Sequence, residues 1–296
     1  MSGGGYNESK NAMTSANIAE NREREFEFTD RDFVFLRDVV MEHSGITLGE
    51  QKRQLVYGRL TRRLRQLGMR SFADYCGHVE RHLEEELGEL INAITTNLTS
   101  FFRENHHFEH LAAQALPDIM KRNAGARRLR LWSSACSTGE EPYSIAMTVA
   151  ETLGSSSWDA RILATDIDSQ VIAKAQTGVY ADERITDIPT ARQRRWFRRG
   201  TGANSSKVKV NEDLQALIAF RQLNLLKDWP MRGPFDIIFC RNVVIYFDKD
   251  TQRRLFDRFA GILVPNGYLY VGHSESLHQI SDRFKLIGKT IYQRIR

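Results

Sequence analysis

Residues 235–247 read FDIIFCRNVVIYF, an apolar run typical of a buried strand that leads directly into Arg241 and Asn242. In an open parallel sheet, small molecules bind in the crevice outside the carboxyl ends of the strands. The pattern therefore predicts a strand that ends at a binding site, lined by Arg241, Asn242 and Tyr246. An ordinary strand end with a polar turn would give the same pattern, because polar residues are common at protein surfaces.

Apolar runs alternate with helical segments on both sides of this stretch, from residue 128 to the end of the chain. The runs include RLRLWSSAC at 128–136, ARILATDID at 160–168 and GYLYVGHSE at 267–275. This alternation predicts an α/β domain with a doubly wound parallel sheet and helices on both faces. An interruption at about 192–222, with a Gly/Asn/Ser turn between short β-favouring runs, predicts a small antiparallel β insertion.

The sequence before the sheet is helical in pattern. We expect Asp30 to cap a first helix that ends near Gly45, a second helix from about Glu50, and further helices at 71–82 and 84–98, forming a small bundle. The polar N-terminus buries almost nothing and is predicted to be disordered. The predicted order is a lead at 1–25, an all-α domain at 26–98, a linker and helix at 99–127, and the α/β domain at 128–296.

Composition excludes several classes of protein. The 296-residue chain is 41% hydrophobic with a formal net charge of +5, and its three cysteines form no CxxC pair. These values are typical of about two folded domains without a zinc cluster or a disulfide framework. No apolar run approaches the ~18 residues that cross a bilayer, and the polar N-terminus does not resemble a signal peptide. We therefore expect a cytoplasmic protein that does not insert into the membrane.

The neighbouring His106 and His107 do not predict a metal site. Adjacent residues on a helix point about 100° apart, and the sequence contains no HExxH motif here. We interpret both histidines as structural and expect no metal.

The second predicted helix carries a basic stripe, and residues 51–70 contain no acidic residue. Four basic side chains fall within an arc of about 100° on a helical wheel: Lys52, Arg59, Arg62 and Arg63. A concentrated stripe of one charge indicates an anionic partner. A solvated face that pairs with the acids at 84–86 is the alternative.

The segment SSACSTGEEPYS at 133–144 follows the first predicted strand. Gly139 supplies a tight turn, and Pro142 marks the start of a helix, whose N-terminus would ordinarily attract an anion. The GxGxxG motif of dinucleotide folds is missing, and Glu140 and Glu141 occupy the place of a pyrophosphate. Carboxylates there repel phosphate and suit a cation.

Asp166 ends the second predicted strand, where an acid can accept hydrogen bonds from ribose hydroxyls. Together with the turn that repels phosphate, it indicates a cationic nucleoside, and S-adenosylmethionine fits that description. Taken alone, Asp166 could equally be a helix N-cap. Upstream, Asn97, Thr99 and Arg103 are expected at the junction of the two domains, a favoured location for a binding cleft.

Five motifs occur in a characteristic order: NLTSFFRE at 97–104, ACSTGEEPYSIAM at 135–147, TDID at 165–168, LNLL at 223–226 and FCRNVVIYFD at 239–248. In this combination the chain resembles the chemotaxis receptor glutamate methyltransferases, the CheR family, over nearly all of residues 26–296. The resemblance implies an enzyme that transfers methyl from S-adenosylmethionine to glutamate side chains on chemoreceptor cytoplasmic helices, leaving S-adenosylhomocysteine. It also implies a location beside receptor arrays.

By motif, the resemblance implies nine cofactor-binding residues: Asn97, Thr99, Arg103, Glu141, Asp166, Asn224, Leu225, Arg241 and Asn242. Of these, Glu141 would hold the amino acid portion, Asp166 the ribose, and Asn224 and Leu225 the adenine. Arg103 and Tyr246 would face the reacting groups as catalytic residues. The basic stripe then has a candidate partner, because the methylation regions of receptors are helical and rich in glutamate.

Some members of the family also bind a receptor's C-terminal peptide through a glycine-rich loop in the β insertion. Here GTGANSS at 200–206 keeps Gly200 and Gly202 but has Ser206 where a further glycine is often found. A peptide strand could still add to the edge of the insertion. Such a tether is therefore left open.

Two other functions compete with this prediction. A nucleic-acid methyltransferase would agree with the basic charge and with the arginines at 192–199 around Trp196 and Phe197, although no NPPY-type base-flipping motif is found. A solvated helix end with core aromatics would explain the same cluster. A non-catalytic receptor-docking module is the other alternative, and it would be favoured if Arg103 or Tyr246 were replaced.

Overall fold

The computed structural model describes residues 25–295, so the predicted disordered lead at 1–25 lies outside the described residues apart from Glu25. The chain divides into two compact units. The first runs to His43 and includes Thr47–Ile94, and the second includes Ser44–Ile46 and everything from Thr95 onward. Within residues 25–295, no helix combines the length and the apolar character that a membrane span requires.

The first unit is helical, as predicted. Its elements are α1 (Asp30–Ser44), a 3₁₀ turn at Glu50–Lys52, α2 (Arg53–Leu67), α3 (Phe72–Arg81) and α4 (Leu83–Ile94). The apolar face predicted for the second helix is buried, since Val56, Leu60 and Leu64 have no exposed surface. These side chains pack inward because they recur at helical spacing on one side of α2.

The cap of α1 is Thr29, so the prediction that Asp30 caps this helix was wrong. Thr29 Oγ1 accepts a hydrogen bond from the Asp32 backbone at 3.2 Å, and the Thr29 N–H donates to Asp32 Oδ2 at 2.8 Å. This reciprocal pair is a capping box, which satisfies two backbone donors at once. Asp30 instead forms an ion pair with Arg53.

The second unit begins with α5 (His106–His110), which continues through a π-helical turn at Leu111–Ala115 into α6 (Leu116–Arg122). Alternating strands and helices follow: β1 (Arg128–Ser133), α7 (Glu140–Leu153), β2 (Asp159–Asp166), α8 (Ser169–Thr177), β3 (Val179–Ala181), α9 (Thr190–Trp196), β4 (Phe197–Arg199), β5 (Lys207–Val210), α10 (Glu212–Gln215), β6 (Ile218–Gln222), β7 (Phe235–Cys240), α11 (Lys249–Ile262), β8 (Leu263–Val271), β9 (Phe284–Gly288) and β10 (Ile291–Arg294). Single 3₁₀ turns lie at Asp182–Ile185, Gly202–Asn204 and Val244–Tyr246.

The main sheet has seven strands in the order β6-β2-β1-β7-β8-β10-β9. The first five are parallel, whereas β10 is antiparallel to both β8 and β9. The α/β sheet is thus confirmed, with an antiparallel hairpin that makes it mixed. Along β7, Ile237 and Phe239 face one core, and Ile238 and Cys240 face the other. Burial on both faces explains why FDIIFC lacks polar alternation.

A separate antiparallel sheet has the order β3-β5-β4. It begins earlier in the chain than the predicted interruption at about 192–222, because its first strand is Val179–Ala181. The last run of that predicted range, Ile218–Gln222, pairs instead with β2 at the edge of the main sheet. The insertion therefore lies between α8 and β6.

Candidate functional site

The carboxyl ends of β2, β1 and β7 lie side by side, since β1 is paired with both of the other strands. Backbone hydrogen bonds extend this pairing into the loops. The Cys136 N–H donates to the Thr165 carbonyl at 2.8 Å, and the Ser134 N–H donates to the Phe239 carbonyl at 2.9 Å. The polar residues that follow these strands therefore meet at one edge of the sheet.

Glu141 lies in the first turn of α7 and is buried. Its carboxylate accepts hydrogen bonds from Ser133 Oγ at 2.7 Å and from Arg241 Nη1 at 2.9 Å. Burial raises the pKa of Glu141, although the nearby charge of Arg241 opposes this rise. Two residues that the sequence placed in the site, Glu141 and Arg241, are thus in direct contact.

Arg241 also contacts a second acidic residue. Its Nη2 atom lies 3.3 Å from Glu104 Oε2 and also donates to the Arg103 carbonyl. The Arg241 side chain is 2% exposed. One buried guanidinium therefore lies between two carboxylates, and it ties the end of β7 to the NLTSFFRE segment and to α7.

Asp166 organises the loop after β1. Its Oδ2 atom accepts the Ser137 N–H at 2.8 Å, and its Oδ1 atom accepts the Asp168 N–H at 3.1 Å. Burial raises the pKa of Asp166 to about 6. The N-cap of α8 is Asp168, which accepts from the Gln170 and Val171 N–H groups, so capping does not explain Asp166.

Asn97 contacts the same loops. Its Nδ2 atom donates to Asp168 Oδ2 at 2.7 Å, and its carbonyl accepts from Ser137 Oγ at 3.0 Å. Asp168 was not among the predicted site residues. Its position directly before a helical segment, at the end of TDID, is an N-cap signal that could have identified it.

The turn at Gly139 in SSACSTGEEPYS is tight, as expected. Gly139 has φ of +100°, and a Cβ at this position would lie 2.7 Å from Tyr180 Oη and 2.9 Å from Ala175 Cβ. Both the backbone conformation and the space require glycine. The turn leads directly into α7, whose first residues are Glu140 and Glu141.

Thr99 and Arg103 lie in the segment that precedes α5. The Thr99 carbonyl accepts from Arg184 Nη2 at 2.6 Å, and Arg103 Nη1 donates to the Leu98 carbonyl at 2.7 Å. The Arg103 side chain is only half-buried. Arg103 thus has its main chain fixed by Arg241, while most of its guanidinium donors remain available for another group.

Glu104, which follows Arg103, was missed by the sequence interpretation. It accepts a hydrogen bond from His273 Nδ1 at 2.8 Å. Burial raises the pKa of Glu104, but the His273 hydrogen bond and the charge of Arg241 outweigh it and lower the pKa to about 2. Its backbone φ of +57° is unusual for a residue other than glycine and could not be read from the sequence.

Glu104, His106 and His107 bring possible metal ligands within 4.8 Å of one another. The Arg241 guanidinium, 3.3 Å from Glu104 Oε2, would repel a cation there. Both histidine Nε2 atoms instead lie near the Lys289 carbonyl, at 3.2 and 3.3 Å. Burial lowers the pKa of His107 to about 3, so this imidazole is neutral.

The remaining predicted site residues follow β6 and β7. The Leu223 N–H donates to the Asp166 carbonyl at 2.8 Å, which brings LNLL beside the end of β2. Asn224 Oδ1 accepts the Leu226 N–H at 2.9 Å, and Leu225 is 6% exposed. After β7, Asn242 has φ of +57° and leads into the 3₁₀ turn that carries Tyr246.

Tyr246 is half-buried. Within residues 25–295, no side chain or backbone group forms a hydrogen bond with its hydroxyl. The hydroxyl can therefore serve as a donor or an acceptor to a bound molecule.

The basic stripe is only partly exposed. Arg63 donates two hydrogen bonds to the buried carboxylate of Glu86, at 2.8 and 2.6 Å, and Arg59 donates to the Ile94 carbonyl. The alternative of pairing with acids at 84–86 thus applies to Arg63. The side chains of Lys52 and Arg62 form no hydrogen bond or ion pair with any part of the chain that is described, and Arg62 is exposed.

Comparison with protein families agrees with this two-unit organisation. The family model of the CheR methyltransferase SAM binding domain matches residues 97–293. The family model of the CheR methyltransferase all-alpha domain matches residues 31–95.

Comparison with individual proteins extends over nearly the whole chain. The chain is 48% identical over 271 residues to chemotaxis protein methyltransferase 2 of Pseudomonas aeruginosa, which covers 91% of this chain and 95% of that protein. It is 44% identical over 266 residues to the chemotaxis protein methyltransferase of Escherichia coli, which covers 89% of this chain and 91% of that protein. Both matches include the helical unit and the α/β unit.

Proposed function

The chain belongs to the CheR methyltransferase family and is an S-adenosylmethionine-dependent methyltransferase, and on this premise we propose that it methylates glutamate side chains on the cytoplasmic helices of chemoreceptors. The observation that carries the proposal is the position of Arg103. Its carbonyl is held by the buried Arg241, while its own guanidinium is half-exposed beside the predicted cofactor pocket. Such a cation can bind and orient an incoming carboxylate.

The residues at the strand ends fit the cofactor. Each oxygen of Asp166 accepts one backbone N–H and retains a lone pair for a ribose hydroxyl. Glu141 and Arg241 together can bind the charged amino and carboxyl groups of the amino acid portion. Arg241 Nε is buried without a hydrogen-bond partner among the described residues, so one donor is available there.

The remaining cofactor assignments are also part of the proposal. Asn224 and Leu225 lie near the adenine because LNLL follows the β6 strand beside Asp166. Asn97 and Thr99 hold the other side of the pocket, and Asn242 completes it after β7. The full set is Asn97, Thr99, Arg103, Glu141, Asp166, Asn224, Leu225, Arg241 and Asn242.

The chemistry requires alignment more than proton transfer. Bound S-adenosylmethionine supplies a methyl group that is electrophilic because it is attached to a sulfonium. A glutamate carboxylate, with an ordinary pKa of about 4.3, is already ionised near neutral pH and needs no general base. Arg103 holds one carboxylate oxygen, and the Tyr246 hydroxyl orients the other. Such alignment can contribute on the order of 7–11 kcal/mol to lowering the barrier.

The basic stripe provides the docking surface for receptor helices in this proposal. Lys52 and Arg62 bind acidic side chains directly, because neither of their side chains has a partner within the described chain. Arg59 contributes a longer-range positive potential while it remains bonded to the helical unit, whereas the charge of Arg63 is balanced by Glu86. The interaction is therefore expected to weaken with ionic strength.

A receptor's C-terminal peptide could bind at the small sheet. β5 is the central strand, so β3 and β4 present the two open edges to which a further strand could pair. The proposal also places the protein in the cytoplasm beside receptor arrays.

The two competing functions receive less support. In the arginine-rich segment at 192–199, Arg192 forms a bidentate ion pair with Glu151 at 2.9 and 2.6 Å, and Trp196 donates to the same carboxylate at 2.7 Å. Part of this cluster is therefore structural, which weakens the case for a nucleic-acid substrate. A non-catalytic docking module would not need a half-exposed arginine beside a cofactor pocket.

The decisive experiment uses the purified protein, radiolabelled S-adenosylmethionine and receptor-containing membranes. Carboxyl methyl esters release methanol in alkali, so we expect the label to become volatile after alkali treatment. Membranes from cells without chemoreceptors are the control. Label that stays in the protein after alkali treatment would contradict the proposal.

A further inference from the structure

Glu275 is a buried carboxylate whose hydrogen-bond partners are all backbone groups. It is 4% exposed. Its Oε2 atom accepts the N–H of Gly272 at 2.6 Å and that of Asn242 at 2.9 Å. Its Oε1 atom accepts the N–H groups of Val243 and Val244, both at 2.9 Å. One side chain thus joins the loop after β8 to the loop after β7.

Three of these four donors, the N–H groups of residues 242–244, lead into and begin the 3₁₀ turn that carries Tyr246. The first N–H groups of a helical turn have no acceptor inside the turn, and a carboxylate placed there satisfies them. Asn242 also has φ of +57°, a left-handed conformation that is uncommon for residues other than glycine but that asparagine adopts more readily than most. The hydrogen bond from its N–H to Glu275 helps to hold this conformation.

Gln252 of α11 holds the other end of the same turn. Its Nε2 atom donates to the carbonyl of Val244 at 2.9 Å and to that of Phe247 at 3.0 Å. The backbone around Tyr246 is therefore bonded on both sides. This arrangement leaves the Tyr246 side chain with a defined direction while its hydroxyl forms no bond within the described residues.

Gly272 shows how closely the two loops approach each other. A Cβ at this position would lie 2.4 Å from Asn242 Nδ2 and 2.9 Å from both Asn242 N and Glu275 Oε2. Any side chain at 272 would push the loops apart. We call Gly272, Glu275 and the N–H groups of residues 242–244 the Glu275 clamp.

We propose that Glu275 is a positioning residue for methyl transfer, which holds the backbone at 242–244 so that Arg241, Asn242 and Tyr246 face the cofactor and substrate. The inference rests on the proposed function. Glu275 touches no reacting group itself and acts only through the turn. Misplacement of reacting groups by about 1 Å can cost on the order of 100-fold in rate, so a restraint of this kind is large enough to matter.

The variant Glu275→Gln tests the clamp. The amide has nearly the same size, but it has a single acceptor oxygen and turns an NH₂ group toward N–H donors. We expect hydrogen–deuterium exchange of the amides at 242–244 to rise at least about tenfold, while β1 and α7 keep their protection. We expect kcat for methylation of receptor-containing membranes to fall about 10- to 100-fold, with a smaller change in KM.

Two further variants make the result interpretable. Glu275→Asp keeps the charge but shortens the side chain, so its exchange and kcat should lie between those of the wild type and Glu275→Gln. Asp257→Asn removes an exposed carboxylate from α11 and should change neither measurement.

If hydrogen–deuterium exchange at 242–244 is unchanged in Glu275→Gln, the carboxylate does not restrain this backbone. If kcat is unchanged, Glu275 has no positioning role. Loss of protection throughout the sheet in both Glu275 variants would also contradict the positioning role, because it would show a general effect on folding. The exchange measurement needs no methyl acceptor. A wild-type protein that methylates no receptor would therefore contradict the proposed function, while the clamp would be decided by exchange.

Discussion

Arg241 and Glu141 are separated by 100 residues in the chain, and they form a buried ion pair in which 2.9 Å separates Nη1 from Oε2. The pair joins the end of β7 to the first turn of α7. Because Glu104 lies 3.3 Å from the same guanidinium, one arginine balances two carboxylates. Removing Arg241 would leave two buried carboxylates without this cation, and such changes are costly.

The substitution Arg241→Leu should therefore affect both folding and cofactor binding. We expect the free energy of unfolding to fall by about 3–5 kcal/mol, because Glu141 and Glu104 lose their buried cation. Binding of S-adenosylhomocysteine, measured by calorimetry, should be lost. The double variant Arg241→Leu with Glu141→Gln should recover part of the stability in urea denaturation. A loss of less than about 1 kcal/mol in the single variant would be inconsistent with this account.

Arg103→Ala should reduce methyl transfer strongly without unfolding the protein. The guanidinium is half-exposed and donates to one backbone carbonyl, so its removal should cost little stability. Loss of the group that holds the carboxylate should lower kcat/KM on the order of 100-fold or more. Arg253→Ala, on the exposed side of α11, is the matched control. Receptor methylation at the normal rate would show that Arg103 is not catalytic.

The basic stripe should divide into two functional classes. Reversing Lys52 and Arg62 to glutamate should raise KM for receptor several-fold at low ionic strength and leave kcat nearly unchanged, because both side chains lack partners in the described chain. Arg63→Ala should instead destabilise the helical unit by roughly 1–3 kcal/mol, because the buried Glu86 loses its arginine partner and, within residues 25–295, its carboxylate keeps a hydrogen bond only from the Tyr75 hydroxyl. Steady-state kinetics and thermal denaturation separate the two. If the wild type and the charge-reversed variant have equal KM values for receptor at low salt, receptor helices do not dock through Lys52 and Arg62.

Cofactor affinity should depend on pH through Asp166. Its pKa is raised to about 6 by burial, above the value of about 3.9 in an unfolded chain. The folded protein therefore holds this proton more tightly, and the resulting stability is fully present below the unfolded pKa and lost as the pH rises through 6. Binding of ribose hydroxyls requires the ionised carboxylate. The affinity for the cofactor should therefore increase as the pH rises through 6.

The Kd of S-adenosylhomocysteine should rise by up to about tenfold for each pH unit below 6 and level off above 7. Titration calorimetry between pH 5 and 8 measures this. Asp166→Asn should bind more weakly at pH 7 and show no such dependence. A wild-type Kd that stays constant between pH 5 and 7 would exclude Asp166 as the titrating ribose acid.

Periodicity and strand-end polarity predicted much of this architecture. The helical unit, the α/β sheet and the positions of Glu141 and Arg241 after its strands all lie where hydrophobic pattern and the geometry of parallel sheets place them. The residue predicted to cap α1 was wrong because Thr29 and Asp30 are adjacent and both residue types favour the N-cap position. Thr29 is the cap because the side chain of Asp32 accepts a hydrogen bond from the Thr29 N–H.

Other features depend on contacts that no local pattern contains. Arg63 reaches Glu86 across 23 positions, and Glu104 reaches His273 across 169. The last strand, β10, lies between β8 and β9 and is antiparallel to both, an order that the sequence of neither neighbour dictates. Glu275 follows the apolar strand GYLYV. It therefore also fits the rule that polar residues directly after a buried strand of a parallel sheet face a binding site, which drew attention to Arg241 and Asn242.

The strand order has a consequence for how the chain is made. β7 lies inside the sheet, between β1 and β8, although it is synthesised about 100 residues after β1. Until β7 emerges from the ribosome, one side of β1 has no strand to pair with, and an unpaired apolar edge promotes aggregation. Truncated chains that end before Phe235 should therefore be insoluble rather than merely inactive, and a nascent chain would depend on chaperones during that interval.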